Sequence, residues 1–308
     1  MCEESYLPGP PYTGAIGMFT PPVIIAAALA LAPYLATAFF PERTFGALQR
    51  IPAAVRSLAP AALGVPYLLV AVPEHVFRWS WLAVYTVLPV AIGALLARAR
   101  IADPGQRGNW RDFIVLAVIG LTVDLRWFEP AWPARLAVFN KVLLLDAGIY
   151  GLFAVRDLEG AGFNLRLRLR DLAVGLREFG FYAPIAIPLG LALGFLHLHP
   201  AWHGWLQAAG AYAFSFFFIA VPEELFFRGW LQNLLERRVG RLWSLLLTAT
   251  LFGLAHWNKR ALHFNWRYVL LAAIAGIFYG RSWRSERRVG ASALTHATVD
   301  TVWGLFLR

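Results

Sequence analysis

Long apolar segments separated by short polar loops follow one another along most of the chain. Ten of them are candidate membrane helices, near 22–40, 59–73, 80–97, 112–128, 136–155, 179–196, 208–227, 242–257, 268–280 and 289–307. A helix needs about 20 mostly apolar residues to cross the hydrocarbon core of a bilayer. The second and ninth segments are short for a full span, so we expect eight to ten membrane helices. The pattern predicts an all-α fold, a polytopic transmembrane helix bundle.

Composition agrees with a membrane protein. Of the 308 residues, 59% are hydrophobic and 15% are charged, and the mean hydropathy is +0.56. A soluble domain carries about 25% charged residues. The net charge is +10, but the arginines lie in short loops between apolar segments. We therefore expect a lipid bilayer as partner and no nucleic acid.

The basic residues predict an orientation. Loops after the odd-numbered candidate helices hold 20 of the 28 Lys and Arg residues, Arg228 among them. The positive-inside rule places these loops in the cytoplasm and both termini outside. Only Lys141 and Lys259 are lysines, a bias typical of a GC-rich genome. We expect a multi-pass protein of a bacterial inner (plasma) membrane.

Polarity divides the chain into three parts. Residues 1–21 are predicted to form a flexible N-terminal tail without a secretory signal, and Cys2 is the single cysteine, so no intramolecular disulfide can form. Residues 22–158 form the N-terminal transmembrane helices, and every strong motif lies in 159–308. Near the start of this last part, the run from Leu172 to Phe181 has helical apolar spacing. It is either an amphipathic helix on the cytoplasmic face or an ordinary basic loop.

Three polar clusters interrupt the apolar helices of residues 159–308. They are Glu223, Glu224 and Arg228, then Phe252 and His256, then His296 and Asp300. An ionisable residue within a membrane helix costs ~2.5–3.5 kcal/mol, so such residues usually carry function. A spacing of four residues places two members of each cluster on one helix face: Glu224 with Arg228, Phe252 with His256, and His296 with Asp300. Glu224 and Arg228 can thus form an ion pair, and Glu223 is the freer carboxylate.

These residue types suit the activation of water. A carboxylate and an imidazole that converge on one water can take its proton and return it to a leaving amine. A second imidazole can stabilise the oxyanion of a tetrahedral intermediate. The alternative is a zinc ion held by Glu223, His256 and His296 with water as fourth ligand. The ligand types fit either chemistry.

The order Glu-Glu-x-x-x-Arg, Phe-x-x-x-His and His-x-x-x-Asp/Asn on successive helices resembles a known family. It is the CAAX-processing and bacteriocin-processing (Abi-type) intramembrane protease family, which includes the Ras-converting CAAX endoproteases. The resemblance covers roughly residues 160–308. It implies a protease core over 159–308.

The resemblance also implies roles for individual residues. Glu223 and His256 activate the attacking water, whereas His296 and the residue at position 300 stabilise the oxyanion. Orienting and structural roles fall to Glu224, Arg228 and Phe252. The archaeal-type relatives imply a glutamate-dependent mechanism without a metal, so we expect no cofactor and keep zinc as the alternative.

Position 300 departs from the family pattern. CAAX endoproteases have Asn there, which can donate a hydrogen bond to an oxyanion, whereas an ionised Asp300 only accepts. Either Asp300 is protonated in its buried setting, or it orients His296 and leaves the donation to the imidazole. The second arrangement is favoured, because an aspartate commonly holds a histidine in one tautomer.

The resemblance implies an intramembrane endopeptidase whose substrate is a membrane-anchored peptide or protein. A rival hypothesis is a non-enzymatic bacteriocin-immunity or membrane scaffold protein, a role also found in this family. Another rival is a proton-coupled transporter that uses the same residues as a relay. Transporters usually show internal repeats or paired broken helices, and the sequence has neither.

Several other polar residues need an explanation. His197, His199 and His203 lie in an external loop without a carboxylate, so we expect no metal there. Asp146 lies in an apolar run, and we expect either a structural partner on a neighbouring helix or a place along the substrate path. Asp124 is near a helix end and is expected to reach the membrane interface.

Overall fold

The computed structural model describes residues 20–200, 202, 204–259 and 263–307. Helices make up 79% of these described residues. The described part contains no strand, only an isolated bridge between Leu198 and Leu307. The predicted all-α bundle is therefore confirmed. Of the predicted N-terminal tail, residues 1–19 and with them Cys2 lie outside the described residues.

The N-terminal transmembrane part, up to residue 158, forms seven α-helices. They are α1 (Pro21–Phe39), α2 (Pro41–Gln49), α3 (Ala53–Leu58), α4 (Gly64–Ala71), α5 (Trp79–Ala102), α6 (Trp110–Asp124) and α7 (Val138–Ile149). A 3₁₀ segment, Ala59–Leu63, joins α3 to α4, and a π-helical segment, Tyr150–Val155, continues α7.

The C-terminal part, from residue 159 onward, begins with α8 and contains the polar clusters. Its α-helices are α8 (Leu169–Ala192), α9 (Trp205–Ser215), α10 (Val221–Glu224), α11 (Asn233–Leu254), α12 (Trp266–Glu286) and α13 (Val289–Phe306). Two π-helical segments, Phe216–Ala220 and Leu225–Gln232, connect α9 to α10 and α10 to α11. From Trp205 onward the backbone is thus helical until Gly240, whose φ is +80°.

Within the described residues, six helical segments are long and apolar enough to cross a membrane. They are Pro21–Phe39, Ala53–Ala71, Trp79–Ala102, Ala134–Val155, Leu169–Ala192 and Trp205–Leu254. Their outer faces expose large apolar side chains such as Ile25, Val87 and Leu206. An outer surface of this kind suits lipid, which solvates apolar side chains. The chain is an integral, multi-pass membrane protein.

The predicted helix boundary at residue 227 is wrong. The helix continues past Arg228, which is completely buried and not part of a cytoplasmic loop. Arg228 donates to Glu224, and the Asn233 side chain donates to the backbone carbonyl of Glu159 over 2.7 Å. Because these polar groups find partners inside the protein, they do not end the helix. Glu223 therefore lies near the middle of a long helical segment.

The run from Leu172 to Phe181 is neither a surface helix nor a loop, because α8 passes through it without a break. Leu172 and Leu176 are exposed, whereas Asp171 and Glu178 are buried. Asp171 accepts from the guanidinium of Arg288 over 2.9 Å. The two carboxylates thus face the protein and the leucines face outward, as expected for a membrane helix whose buried ionisable residues find partners in the bundle.

Close packing of the last helices positions the polar clusters. Helix α12 packs against α8, α11 and α13, and α13 also packs against α8 and α9. A Cβ atom on Gly253 would lie 2.5 Å from the carbonyl oxygen of Val269, so only glycine allows this approach of α11 to α12. The first part of the chain attaches partly through Tyr34, whose hydroxyl donates to the Phe217 carbonyl over 3.0 Å. Since α12 packs against both α11 and α13, it holds the end of α11 near α13.

Candidate active site

A cleft of about 580 Å³ lies between α9, α13 and the turn that follows α11. Glu223 reaches it from α10, His256 from the turn, and His296 and Asp300 from α13. All four residues proposed as catalytic from the sequence therefore line one cleft. Glu224, Arg228 and Phe252, proposed as orienting residues, do not line it.

Glu224 is a completely buried carboxylate with three donors. Its Oε2 atom accepts from Nε of Arg228 over 3.0 Å and from the hydroxyl of Ser292. Its Oε1 atom lies 2.9 Å from Nδ1 of His296. Buried charges are tolerated when they are paired and hydrogen-bonded. Glu224 is thus a fixed acceptor at which α10 and α13 meet.

His296 is held from two sides. Its Nδ1 atom contacts Glu224, and its ring stacks on Tyr279 with centroids 4.5 Å apart and an interplanar angle of 16°. Its Nε2 atom lies 3.6 Å from Oδ2 of Asp300, which is too far for a hydrogen bond. The hydrogen bond that orients His296 therefore comes from Glu224, where we expected Asp300.

Asp300 has a different partner. The hydroxyl of Ser215, on α9, donates to Oδ2 of Asp300 over 2.7 Å. Ser215 also lines the cleft. Since the hydroxyl proton points at the carboxylate, Asp300 acts here as an acceptor.

His256 is oriented by its own helix. Its Nδ1 atom lies 2.8 Å from the carbonyl oxygen of Phe252. A carbonyl oxygen can only accept, so Nδ1 carries the hydrogen and Nε2 of the neutral ring is an acceptor. The Phe252 ring also packs against the rings of both histidines, with centroids 5.0 Å from His256 and 5.7 Å from His296. Phe252 thus positions both imidazoles.

Glu223 differs from its neighbour Glu224. It is half-buried and has no hydrogen bond or ion pair within 4 Å among residues 20–200, 202, 204–259 and 263–307. The two π-helical segments flank it, and such segments occur frequently at functional sites. Glu223 is therefore a carboxylate in the cleft that is free to contact water.

The segment that carries these side chains matches a known protein family. Residues 205–302 match the family model described as Rce1-like: Type II CAAX prenyl endopeptidase Rce1-like. This segment is Rce1-like. The resemblance to the CAAX protease family is thus confirmed, and the match contains all seven proposed site residues. No curated protein and no solved structure matches the chain.

The donor atoms of the Rce1-like segment do not form a ready zinc site. Nowhere in the described part of the chain do three His, Cys, Asp or Glu side chains converge as metal ligands. His296 uses Nδ1 for Glu224, and Nε2 of His296 lies 3.6 Å from Oδ2 of Asp300. The ligand set considered from the sequence, Glu223 with both histidines, does not fit a metal in this arrangement.

Several residues around the site were missed by the sequence analysis. Ser292 donates to Glu224, Ser215 donates to Asp300, Tyr279 supports His296, and Lys259 lines the cleft. Ser292 precedes His296 by four residues, so helical spacing could have indicated it. The partner of Ser215 is 85 residues away, and no local pattern reports such a contact.

None of the other polar residues singled out from the sequence lines the cleft, among those that the structure describes. The His199 amide donates to the Phe306 carbonyl over 2.9 Å, which attaches its loop to the end of α13. His203 lies outside the described residues. Asp146 is buried, and neither carboxylate oxygen has a hydrogen-bond partner in the part of the chain that is described. The partner expected on a neighbouring helix is thus not found there. Asp124 is half-buried beside the turn of His256, where Asn258 donates to its carbonyl over 3.4 Å.

Proposed function

We propose that this protein is an intramembrane endopeptidase that hydrolyses a peptide bond of a membrane-associated peptide or protein. One observation carries the proposal. Glu223, His256 and His296 line the same cleft, while Glu224, Phe252 and Tyr279 hold the histidines from behind. A free carboxylate beside two pre-oriented imidazoles is the arrangement that hydrolysis with activated water requires.

In the first step, a water molecule binds between Glu223 and Nε2 of His256. His256 accepts one hydrogen bond and orients the lone pair of the water toward the substrate carbonyl. Glu223 takes a proton as the oxygen–carbon bond forms, because general base catalysis needs a carboxylate within hydrogen-bond reach of the water. The product of this step is a tetrahedral intermediate with an oxyanion and a protonated Glu223.

In the second step, His296 stabilises the oxyanion. Its Nδ1 hydrogen is held by Glu224, and with Asp300 nearby two carboxylates favour the imidazolium form. The Nε2 hydrogen then donates to the oxyanion. The carbon–nitrogen bond breaks, and the proton on Glu223 moves to the leaving amine. All atoms balance without a metal, so we propose a metal-independent reaction.

The substrate follows from the position of the cleft. The cleft walls include Ala211, Phe214 and Ile219 beside exposed faces of α9, and Leu305 on α13. A membrane-anchored chain can therefore approach from the bilayer. The family name specifies prenylated CAAX proteins as substrates of its members, whereas in the expected bacterial plasma membrane we propose an anchored peptide or protein without a prenyl group.

The test compares protein termini in membranes that contain the wild type, Glu223→Gln or Glu42→Gln. Glu42 is an exposed carboxylate of α2 and serves as the matched control. Mass spectrometry should find new N- and C-termini in the wild type and the Glu42→Gln membranes that disappear with Glu223→Gln. Identical termini in all three, at equal protein levels, would favour the immunity or scaffold role.

A second measurement separates the substrate classes. The purified protein is incubated in micelles with a farnesylated CAAX peptide or with a peptide anchored by an apolar segment. We expect cleavage of the anchored peptide. Cleavage of the farnesylated peptide alone would contradict the proposed substrate but not the proposed protease activity.

A further inference from the structure

A groove of about 430 Å³ lies between α6 and the first turns of α11. On α6 it is lined by the apolar side chains of Trp110, Phe113, Ile114 and Ala117, and on α11 by Arg238. None of these described residues lines the cleft of the proposed active site. The groove is therefore a separate feature of the surface, with an apolar wall and a basic end.

The apolar wall of the groove belongs to a longer stripe on α6. Trp110, Ile114, Ala117 and Leu121 follow one another at intervals of four, three and four residues, and all are exposed. Trp110 is 57% exposed and Ile114 is 43% exposed. This spacing places the four side chains on one helix face. Because tryptophan is enriched where a membrane helix meets the interface, the stripe can follow a lipid chain from the interface into the hydrocarbon.

The basic end of the groove has hydrogen-bond donors that the protein does not use. Nη1 of Arg238 donates to the backbone carbonyl of Gly108. A guanidinium has five N–H donors, so most of those of Arg238 make no bond within the described residues. Arg111 lies over the Trp110 ring, 4.4 Å from its centroid, and its Nη1 donates to the Asn109 side chain over 3.2 Å. Both arginines thus have donors available for a ligand.

The charge of these two arginines is not balanced by nearby acids. Asp112 and Asp103 both pair with Arg156, over 2.8 and 2.7 Å. In the described part of the chain, no carboxylate lies within 4 Å of the Arg111 or Arg238 guanidinium. Both arginines belong to the set that the positive-inside rule places on the cytoplasmic side. Basic pockets between membrane helices on that side bind anionic headgroups.

We propose that the groove binds one anionic phospholipid, with an acyl chain along the α6 stripe and the phosphate on Arg238 and Arg111. The planar fork of a guanidinium matches the oxygens of a phosphate. A free phosphate would leave the apolar stripe uncovered, and a zwitterionic lipid would bring a cation to two arginines without acids. The bound lipid bridges α6 of the N-terminal transmembrane part and α11 of the C-terminal part.

The test titrates the delipidated full-length protein in nonionic detergent with phosphatidylglycerol and counts bound lipids by native mass spectrometry. Phosphatidylcholine with the same acyl chains tests the charge preference, and glycerol phosphate tests whether the headgroup alone is enough. We expect one tightly bound phosphatidylglycerol. Phosphatidylcholine should bind about tenfold more weakly, because each arginine near an anionic headgroup adds to the affinity. Glycerol phosphate should not compete.

Two variants change the two ends of the site separately. Arg238→Gln keeps an amide donor for the Gly108 carbonyl but loses the charge, and should weaken phosphatidylglycerol binding about fivefold or more. Ala117→Trp fills the groove from an exposed position and should also weaken binding at least about fivefold, because the acyl chain loses its apolar contact. Arg98→Gln and Ala91→Trp, at exposed positions of α5, are the matched controls and should bind as the wild type does.

Several results would overturn this inference. They are equal affinity for phosphatidylcholine, displacement of phosphatidylglycerol by glycerol phosphate, unchanged affinity in Ala117→Trp, and an equal loss of affinity in Arg98→Gln. If Arg238→Gln does not yield a monodisperse protein, Arg111→Gln replaces it with the same expected loss. The measurement needs no substrate, so the lipid site and the proposed protease activity can each fail without the other.

Discussion

Nδ1 of His296 lies 2.9 Å from Oε1 of Glu224, a contact between residues 72 positions apart in the chain. Glu224 is thereby part of the wall that holds the histidine, whereas Glu223 faces the cleft. Successive residues of a helix point about 100° apart, so adjacent glutamates meet different surroundings. Glu224 therefore supports His296, whereas Glu223 is available for catalysis in the cleft.

The first prediction concerns the different roles of Glu224 and Glu223. Glu224→Ala leaves Arg228 buried without its carboxylate partner, and breaking a buried ion pair costs about 3–5 kcal/mol. We expect a clear fall in the unfolding temperature of the detergent-purified protein. Glu223→Ala removes a half-buried carboxylate without a close partner, and should leave the unfolding temperature near that of the wild type. Equal losses in both variants would contradict these roles.

The second prediction concerns His256. Because Nε2 of His256 orients the water, His256→Gln should lower the rate of peptide cleavage about 100-fold or more. The unfolding temperature should change little, since the His256 side chain contributes one hydrogen bond to the carbonyl of Phe252. His197→Gln, at an exposed position of the loop before α9, is the control and should retain full activity. A His256→Gln enzyme of normal rate would exclude this role.

The third prediction concerns Asp300. Asp300→Asn retains an oxygen that can accept from Ser215 and should keep activity within about tenfold of the wild type. Asp300→Ala leaves the Ser215 hydroxyl without its acceptor and removes a carboxylate beside His296, so activity should fall further. Steady-state cleavage rates of the two variants decide this point. An equally large loss in both variants would contradict this expectation and indicate that the charge itself is essential.

The fourth prediction concerns metals. Since no three acidic, histidine or cysteine side chains converge among the described residues, activity should survive prolonged exposure to strong chelators. Elemental analysis of the active protein should find zinc far below one ion per chain. Loss of activity on chelation, with recovery on addition of zinc, would establish the metal-dependent alternative.

The fifth prediction compares the contributions of a buried and an exposed ion pair to stability. Arg156 is buried and donates to Asp112 over 2.8 Å and to Asp103 over 2.7 Å. Arg156→Met should destabilise the protein by about 3–5 kcal/mol, because it leaves the buried Asp112 unpaired. Arg100→Met removes an exposed pair with Asp157 and should cost about 0–1 kcal/mol. Chemical unfolding in mixed micelles measures both, and similar values would show that burial does not govern these pairs.

The all-α membrane bundle and the polar clusters could be predicted because both depend on local patterns. Apolar segments of membrane length predict spans, and spacing of four residues placed Glu224 with Arg228 and His296 with Asp300 on shared faces. The helix end at residue 227 could not be predicted correctly. A charged residue such as Arg228 indicates a loop unless its partner is known, and that partner network exists only in the folded bundle.

The sequence by itself determined the class of protein, the order of its helices and the family to which its chemically active residues point. Tertiary structure decided which atoms meet. It brought Ser215 to Asp300, Glu224 to His296, and Lys259 into the cleft with Glu223. These contacts depend on how helices distant in the chain pack and rotate against one another. Helical periodicity places a residue on a face, but packing alone selects the residue that it will contact.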